Sequence, residues 1–389
     1  MLALVLSLAV TLGIPGFVQE RAAGSSRIVA IGDVHGDFDA FVAILHQAGL
    51  LGANNEWTGA SATLIQTGDF TDRGPQVRKV MDLLIGLQKD ASRKGGRVIV
   101  LLGNHEVMNI MGDLRYVTAA DYAAFADVNS EKRRQQAYQA HLRLRKQQAT
   151  KLNQPLPNPS TEEESQWMRD HPPGFLERNL AFGPRGTYGR WLRQHDFVTQ
   201  IGGSIFLHGG ISPKAAGRQI KDINQRIRGE ISFFDQFCRY MEDHGVTPSF
   251  YNLDELTAAA QNELALRKQD PETTHSIATI EEFLKYPQWL CTNPDGPLWF
   301  RGYALWSDGD GARTIDDLLT KYGAQRFVVG HTVQADGRIR SRFGGKVLLI
   351  DTGMLSSLYV GGRASALEIL GDQITALYAD QRTVLSGPQ

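Results

Sequence analysis

The sequence predicts an α/β fold. Short apolar runs end abruptly in glycine and an acid, and the segments between several of them carry apolar residues at helical spacing. The composition, 42% hydrophobic and 21% charged, is that of a globular chain. Its 389 residues suffice for one large domain or two ordinary ones.

The apolar runs are Ile28–Ile31, Ala62–Gln66, Val98–Leu102, Ser204–Leu207, Phe327–Val329 and Val347–Ile350. Their length, bounding glycines and β-branched content predict buried strands. Between the first two runs, Phe38–Leu51 has a helical pattern, and Val77–Leu87 repeats it before the third. This alternation implies α/β layering rather than a helical bundle. Near the end, Ala364–Ile369 and Gln373–Tyr378 flank Gly371-Asp372, which predicts a β-hairpin finishing one sheet edge.

Two long stretches interrupt the pattern. Residues 116–193 contain a basic, helix-prone segment, Lys132 to Lys151, and a Pro-rich acidic loop around Pro155 to Glu164. Residues 214–290 are mainly helical in pattern. Both are expected to be insertions covering one face of a single catalytic domain spanning 24–389. The basic segment is expected to be a solvated helix face.

The formal net charge of −1 gives no global attraction to nucleic acid or anionic membrane, so neither is expected as a partner. The two cysteines, Cys238 and Cys291, have no zinc-type or redox spacing; a disulfide and two inert thiols both remain open. From Leu2 to Val18 the chain is uncharged and apolar apart from Ser7 and Thr11. The run is short for a spanning helix and broken by Gly13, Pro15 and Gly16. It reads as a signal peptide over residues 1–23, with Ala22-Ala23-Gly24 as the cleavage zone. A periplasmic or secreted protein is the expectation; an uncleaved N-terminal anchor and a cytoplasmic chain are the alternatives. No later stretch is apolar enough to cross a membrane.

The strand ends carry the chemistry. They read Gly32-Asp33-Val34-His35-Gly36, Gly68-Asp69-Phe70-Thr71-Asp72-Arg73-Gly74, Gly103-Asn104-His105-Glu106, His208-Gly209-Gly210 and Gly330-His331-Thr332. Ligands of open α/β sheets bind beyond the carboxyl ends of strands, so five ends can converge on one spot. Carboxylates, imidazoles and one amide, without thiolate, suit divalent Mn, Fe or Zn. Asp33 and His35, two apart on an extended segment, can face one ion. A carboxylate such as Asp69 can bridge two ions about 3.5–4 Å apart, an arrangement that activates water for in-line displacement at phosphorus.

These blocks, about 35 residues apart for the first three, resemble the phosphoprotein phosphatase family of calcineurin-like metallophosphoesterases. Gly330-His331-Thr332-Val333-Gln334 and Ile350-Asp351-Thr352-Gly353-Met354 look like its Shewanella-like branch. The resemblance implies an αβ-sandwich, two mixed β-sheets flanked by helices, bearing the two helical insertions. It implies two divalent metal ions, manganese first, with iron or zinc as alternatives. Asp33, His35 and Asp69 would hold one ion; Asp69, Asn104, His208 and His331 the other. His105 would be the general acid, oriented and charged by Asp72. Arg73, Arg301 and Asn104 would bind the substrate phosphate, and Glu106 would support the ligands from behind. The implied reaction is hydrolysis of phosphomonoesters, on Ser/Thr or Tyr of a phosphorylated protein, by direct attack of a hydroxide held between the ions. Val333 stands where related diesterases carry a second histidine, which favours monoesters.

Two other readings stand beside this one: hydrolysis of dinucleoside polyphosphates on the same fold, and a non-catalytic phospholigand-binding protein. An Asp after Gly at a strand end is usually a turn residue; the order of the whole set carries the argument. His46, His141, His195, His244 and His275 lie outside any block and are expected to be ordinary histidines. His171-Pro172-Pro173-Gly174 is expected to be a rigid turn, and Phe233, Phe234 and Tyr240 are expected to pack helices.

Overall fold

A computed structural model describes residues 27–151, 153–217, 219–268 and 274–386. The segment read as a signal peptide lies outside the described residues. The chain begins with β1 (Ile28–Ile31), α1 (Phe38–Gln47), β2 (Thr63–Gln66), α2 (Val77–Arg93), β3 (Arg97–Val100) and α3 (Asn104–Met111). A run of helices follows: α4 (Ala119–Ala123), α5 (Ser130–Lys151), α6 (Thr161–Asp170), α7 (Phe175–Phe182) and α8 (Thr187–Leu192). The chain then forms β4 (Val198–Ile201) and β5 (Ser204–Leu207), and the helices α9 (Ile220–Asp243), α10 (Leu253–Arg267), α11 (Thr274–Phe283), α12 (Gly302–Leu305) and α13 (Asp308–Tyr322). It closes with β6 (Arg326–Val329), β7 (Arg340–Arg342), β8 (Val347–Leu349), β9 (Ser365–Leu370), β10 (Gln373–Tyr378) and β11 (Arg382–Ser386).

The strands form two mixed sheets, ordered β11-β10-β9-β1-β2-β3 and β4-β5-β6-β8-β7. Within the first, β1, β2 and β3 are parallel; within the second, β5, β6 and β8 are. Alternation along each central strand explains why so many of its residues are apolar. Ile28 and Ala30 of β1 meet Phe206 of β5 and Val328 of β6 in a core between the sheets. Val29 and Ile31 face the other way, into the larger core under the helices. A strand covered on both faces has few places for a polar side chain.

The predicted strands are present with boundaries shifted by a residue or two. The helix predicted over Phe38–Leu51 stops at Gln47, because Gly49 turns left-handed (φ 65°) and sends Leu50 and Leu51 back into the core as loop. The next helix runs six residues beyond the predicted Leu87, since Ala91 continues the buried stripe of Leu84 and Leu87. The edge strands β4, β7 and β11 were not anticipated. Their residues, such as Arg340-Ser341-Arg342, are largely polar, as suits strands with one free edge. Cys238 and Cys291 are both free thiols, and burial pushes each thiol up in pKa. Among the described residues, no helix is long and apolar enough to cross a membrane.

Candidate active site

The carboxyl ends of β1, β2, β5, β6 and β8 and the start of α3 surround one cavity of about 370 Å³. It is lined by Asp33, His35, Asp69, Arg73, Asn104, His105, Arg301 and His331, among others. His208 lies behind these and Asp72 behind His105; both are fully buried. The structure therefore brings together every residue singled out as a ligand, acid or phosphate contact.

The chain leaves its ordinary conformations to achieve this. His35, Asp69, Asp72, Arg73 and His331 all have positive φ, between 48° and 68°. Left-handed backbone costs an L-residue about 1–2 kcal/mol, and such strain concentrates at functional sites. Glycines supply the clearance. A Cβ at Gly103 would stand 2.2 Å from Asp69 Oδ1, and one at Gly330 2.3 Å from Asp33 Oδ1.

Each carboxylate is pinned by one oxygen. Asp33 Oδ1 accepts from the His331 N–H at 2.9 Å, and Asp69 Oδ1 from the His105 N–H at 3.0 Å. Asp69 Oδ2 then sits centrally, 3.1 Å from His208 Nε2, 3.8 Å from His105 Nε2 and 3.9 Å from His35 Nε2. Burial opposes a charge on Asp69, but His208 and His105 outweigh it and hold the carboxyl well below the usual range.

The imidazoles declare their tautomers through carbonyl partners, which only accept. His35 Nδ1 donates to Thr71 O at 3.0 Å, His208 Nδ1 to Thr67 O at 3.1 Å, and His331 Nε2 to Trp299 O at 3.0 Å. Burial lowers His35 to about 3 and His331 well below its ordinary value, so both rings are neutral near pH 7. Each then presents its remaining nitrogen as a lone pair. His208 Nε2 and His331 Nδ1 face each other at 3.0 Å, with Asn104 Oδ1 2.9 Å from His208 Nε2. Lone pairs converging in a buried space require a cation. For metal–ligand bonds of about 2.1 Å at right angles, neighbouring donor atoms stand about 3.0 Å apart. The donor set thus fits divalent metal.

His105 is different. Its Nδ1 meets Asp72 Oδ2 at 2.7 Å and its Nε2 meets Arg73 Nη2 at 3.1 Å. Burial works against its charge, but Asp69 and Asp72 prevail and raise its pKa above the ordinary value. Asp72 Oδ1 accepts from Asn109 Nδ2 at 2.9 Å, and Asn109 Oδ1 accepts from Arg178 Nη2 at 2.6 Å. Arg178, fully buried on α7, also donates to Asp121 Oδ2 at 2.8 Å. Glu106 never reaches the cavity. It accepts five hydrogen bonds, from the N–H groups of Asp69, Phe70, Thr71 and Gly103 and from Thr71 Oγ1. Removing it by Glu106→Ala is expected to weaken metal affinity by about 10–100-fold through the loosened Asp69 loop. Titration with a competing chelator measures this; unchanged affinity would deny the loop that role.

A family model for calcineurin-like phosphoesterases matches residues 26–335 of the chain. The chain belongs to that family. An uncharacterised protein of Schizosaccharomyces pombe is 30% identical over 354 residues, 90% of this phosphoesterase and 79% of the relative. Shewanella-like protein phosphatase 2 of Arabidopsis thaliana is 29% identical over 91% of this chain and 78% of its own. The cold-active protein-tyrosine phosphatase of a psychrophilic Shewanella shares the fold, with a TM-score of 0.58 at 22% identity over 93% of this chain and 81% of the other. The phosphoesterase is a metal-dependent phosphatase, a hydrolase of phosphate esters.

Several residues of the phosphoesterase's site escaped sequence reasoning. Tyr116, Tyr359 and Trp299 line the cavity, and Arg73 lies over the rings of Tyr116 and Tyr359 at 5.1 and 5.8 Å. Only their neighbourhood to the blocks marks them. Arg178 had a readable signal: it shares a helix stripe with Phe175 and Phe182, where a solvated arginine does not belong. Arg301 reaches the cavity, but Nη1 donates to His331 O at 2.6 Å and to Thr332 Oγ1 at 3.2 Å.

Proposed function

We propose that this phosphatase removes phosphate from proteins, from phosphotyrosine and from phosphoserine or phosphothreonine, with manganese as the working metal. The observation that carries the reading is the pairing, in one cavity, of converging metal donors with a separate His105–Asp72 pair. Two bound divalent ions supply Lewis acidity to the phosphoryl oxygens and acidify the attacking water.

The residues divide the remaining work. Asp33, His35 and Asp69 would hold one ion, and Asp69, Asn104, His208 and His331 the other. Arg73, half-buried at the mouth, offers its guanidinium fork to phosphate oxygens, and Arg301 and Asn104 contact the phosphate from the other side. Turning Arg73 toward phosphate releases His105 Nε2, which then carries the proton that the leaving oxygen takes. Asp72 stabilises that imidazolium through Nδ1. The aromatic walls of Tyr116, Trp299 and Tyr359 suit a flat leaving group, and this favours phosphotyrosine. The apolar segment Leu2 to Val18 supports export, hence a periplasmic or secreted enzyme.

The test compares turnover on a phosphotyrosine peptide, a phosphoserine peptide and a dinucleoside tetraphosphate in Mn(II) buffer. Peptide turnover is expected to exceed nucleotide turnover by at least about tenfold in kcat/KM, a difference of about 1.4 kcal/mol in the barrier. Faster cleavage of the nucleotide would reassign the enzyme to dinucleoside polyphosphates. Tight peptide binding without phosphate release would make it a binding protein.

A further inference from the structure

One buried acid in the cavity has no role so far. Asp351 follows β8 and is 1% exposed. Its Oδ1 accepts from the Gly353 N–H at 3.0 Å, but its Oδ2 has no hydrogen-bond partner among the described residues. The residue lines the same cavity as Asp33, His35 and Asp69. Its backbone is fixed there, because the Gln334 N–H donates to Asp351 O at 2.9 Å and ties the strand end to the loop after His331.

An ionised carboxylate with an empty, buried oxygen is unfavourable unless a cation or a donor meets it. Among the described residues, no donor does so. The Asp33 carboxyl interacts with that of Asp351. As carboxylates, neither donates to the other. Two carboxylates in one buried cavity repel each other unless a cation stands between them.

Val333, which offers no donor, lines the same cavity. The Asp351 loop runs beside it: a Cβ built on Gly353 would lie 3.2 Å from Val333 Cγ1. We propose that Asp351 is a further ligand of the Asp33–His35–Asp69 metal, with its unpartnered Oδ2 as the donor atom. Three carboxylates, Asp33, Asp69 and Asp351, then balance the charge of the ion pair more fully than two. The buried oxygen that is orphaned without metal is the one that metal satisfies.

The inference rests on the dimetal reading, and the experiment separates the two. Mn(II) is titrated into metal-free wild type and into metal-free Asp351→Asn, with a competing chelator reporting affinity and mass spectrometry of the metal reporting stoichiometry. The variant is isosteric and removes only the charge. One of its two Mn(II) sites is expected to weaken by at least about tenfold, while the other keeps wild-type affinity. Thermal unfolding supplies a second readout. Metal-free Asp351→Asn is expected to melt at or above metal-free wild type, since an unpaired buried carboxylate is gone, and to gain less Tm from Mn(II). Asp351→Glu, which keeps the charge, is expected to bind closer to wild type than Asp351→Asn does. Wild-type affinity at both sites of Asp351→Asn, or a metal-free variant that melts well below wild type, overturns the proposal. A wild-type chain that takes up no Mn(II) would instead sink the dimetal reading itself.

Discussion

Replacing His105 with Asn is expected to lower kcat on a phosphoserine peptide by about 10²–10⁴-fold, the worth of a positioned general acid. The loss on an aryl phosphate with an acidic leaving phenol is expected to be far smaller, because that oxygen departs without a proton. Metal content is expected to stay at the wild-type value, since His105 Nδ1 is committed to Asp72 at 2.7 Å and its Nε2 to Arg73 at 3.1 Å. Geometry alone would also admit His105 as a ligand, for it clusters with His35 and Asp69. Metal analysis of the variant decides between the roles. A drop in bound metal would make His105 a ligand, and equal losses on both leaving groups would remove it from proton transfer.

Asp69→Asn is expected to be more damaging still. Oδ2 of this residue lies within 3.1–3.9 Å of His208, His105 and His35, so one atom stands between the two halves of the proposed site. An amide in its place keeps the volume and loses the charge. We expect at least one of the two ions to be lost and kcat/KM to fall by about 10³-fold or more, in line with several kcal/mol of electrostatic stabilisation. Elemental analysis and phosphate release on the same preparation provide the check. Retention of both ions with near-wild-type turnover would show that Asp69 does not bridge them.

Much of this site was legible in the sequence because its residues are local to strand ends. A strand fully buried on both faces leaves a clear apolar run, and the first polar residues after it are forced to the sheet's edge. Asp33, Asp69, His208 and His331 announce themselves in that way. Asp351 has the same address after Ile350, yet an acid before Thr-Gly also reads as a turn, and only its orphaned oxygen distinguishes the two. The edge strands were hidden because one free edge tolerates polar residues, as in β7. The aromatic walls were hidden for another reason. Tyr116 and Tyr359 come from loops, where no periodicity records which way a side chain points.

Arg178 belongs to the helical run between α3 and β4, which the chain pattern marks as an addition to the core. Yet its guanidinium holds Asn109, whose amide in turn holds Asp72 beneath His105. The addition and the catalytic layer therefore do not form separate modules. The outer helices α5 and α6 contribute no side chain to this chain of bonds. A deletion that reaches α7 would withdraw a buried cation from beneath Asn109 and Asp72, so an exchanged outer segment is expected to need an equivalent of Arg178.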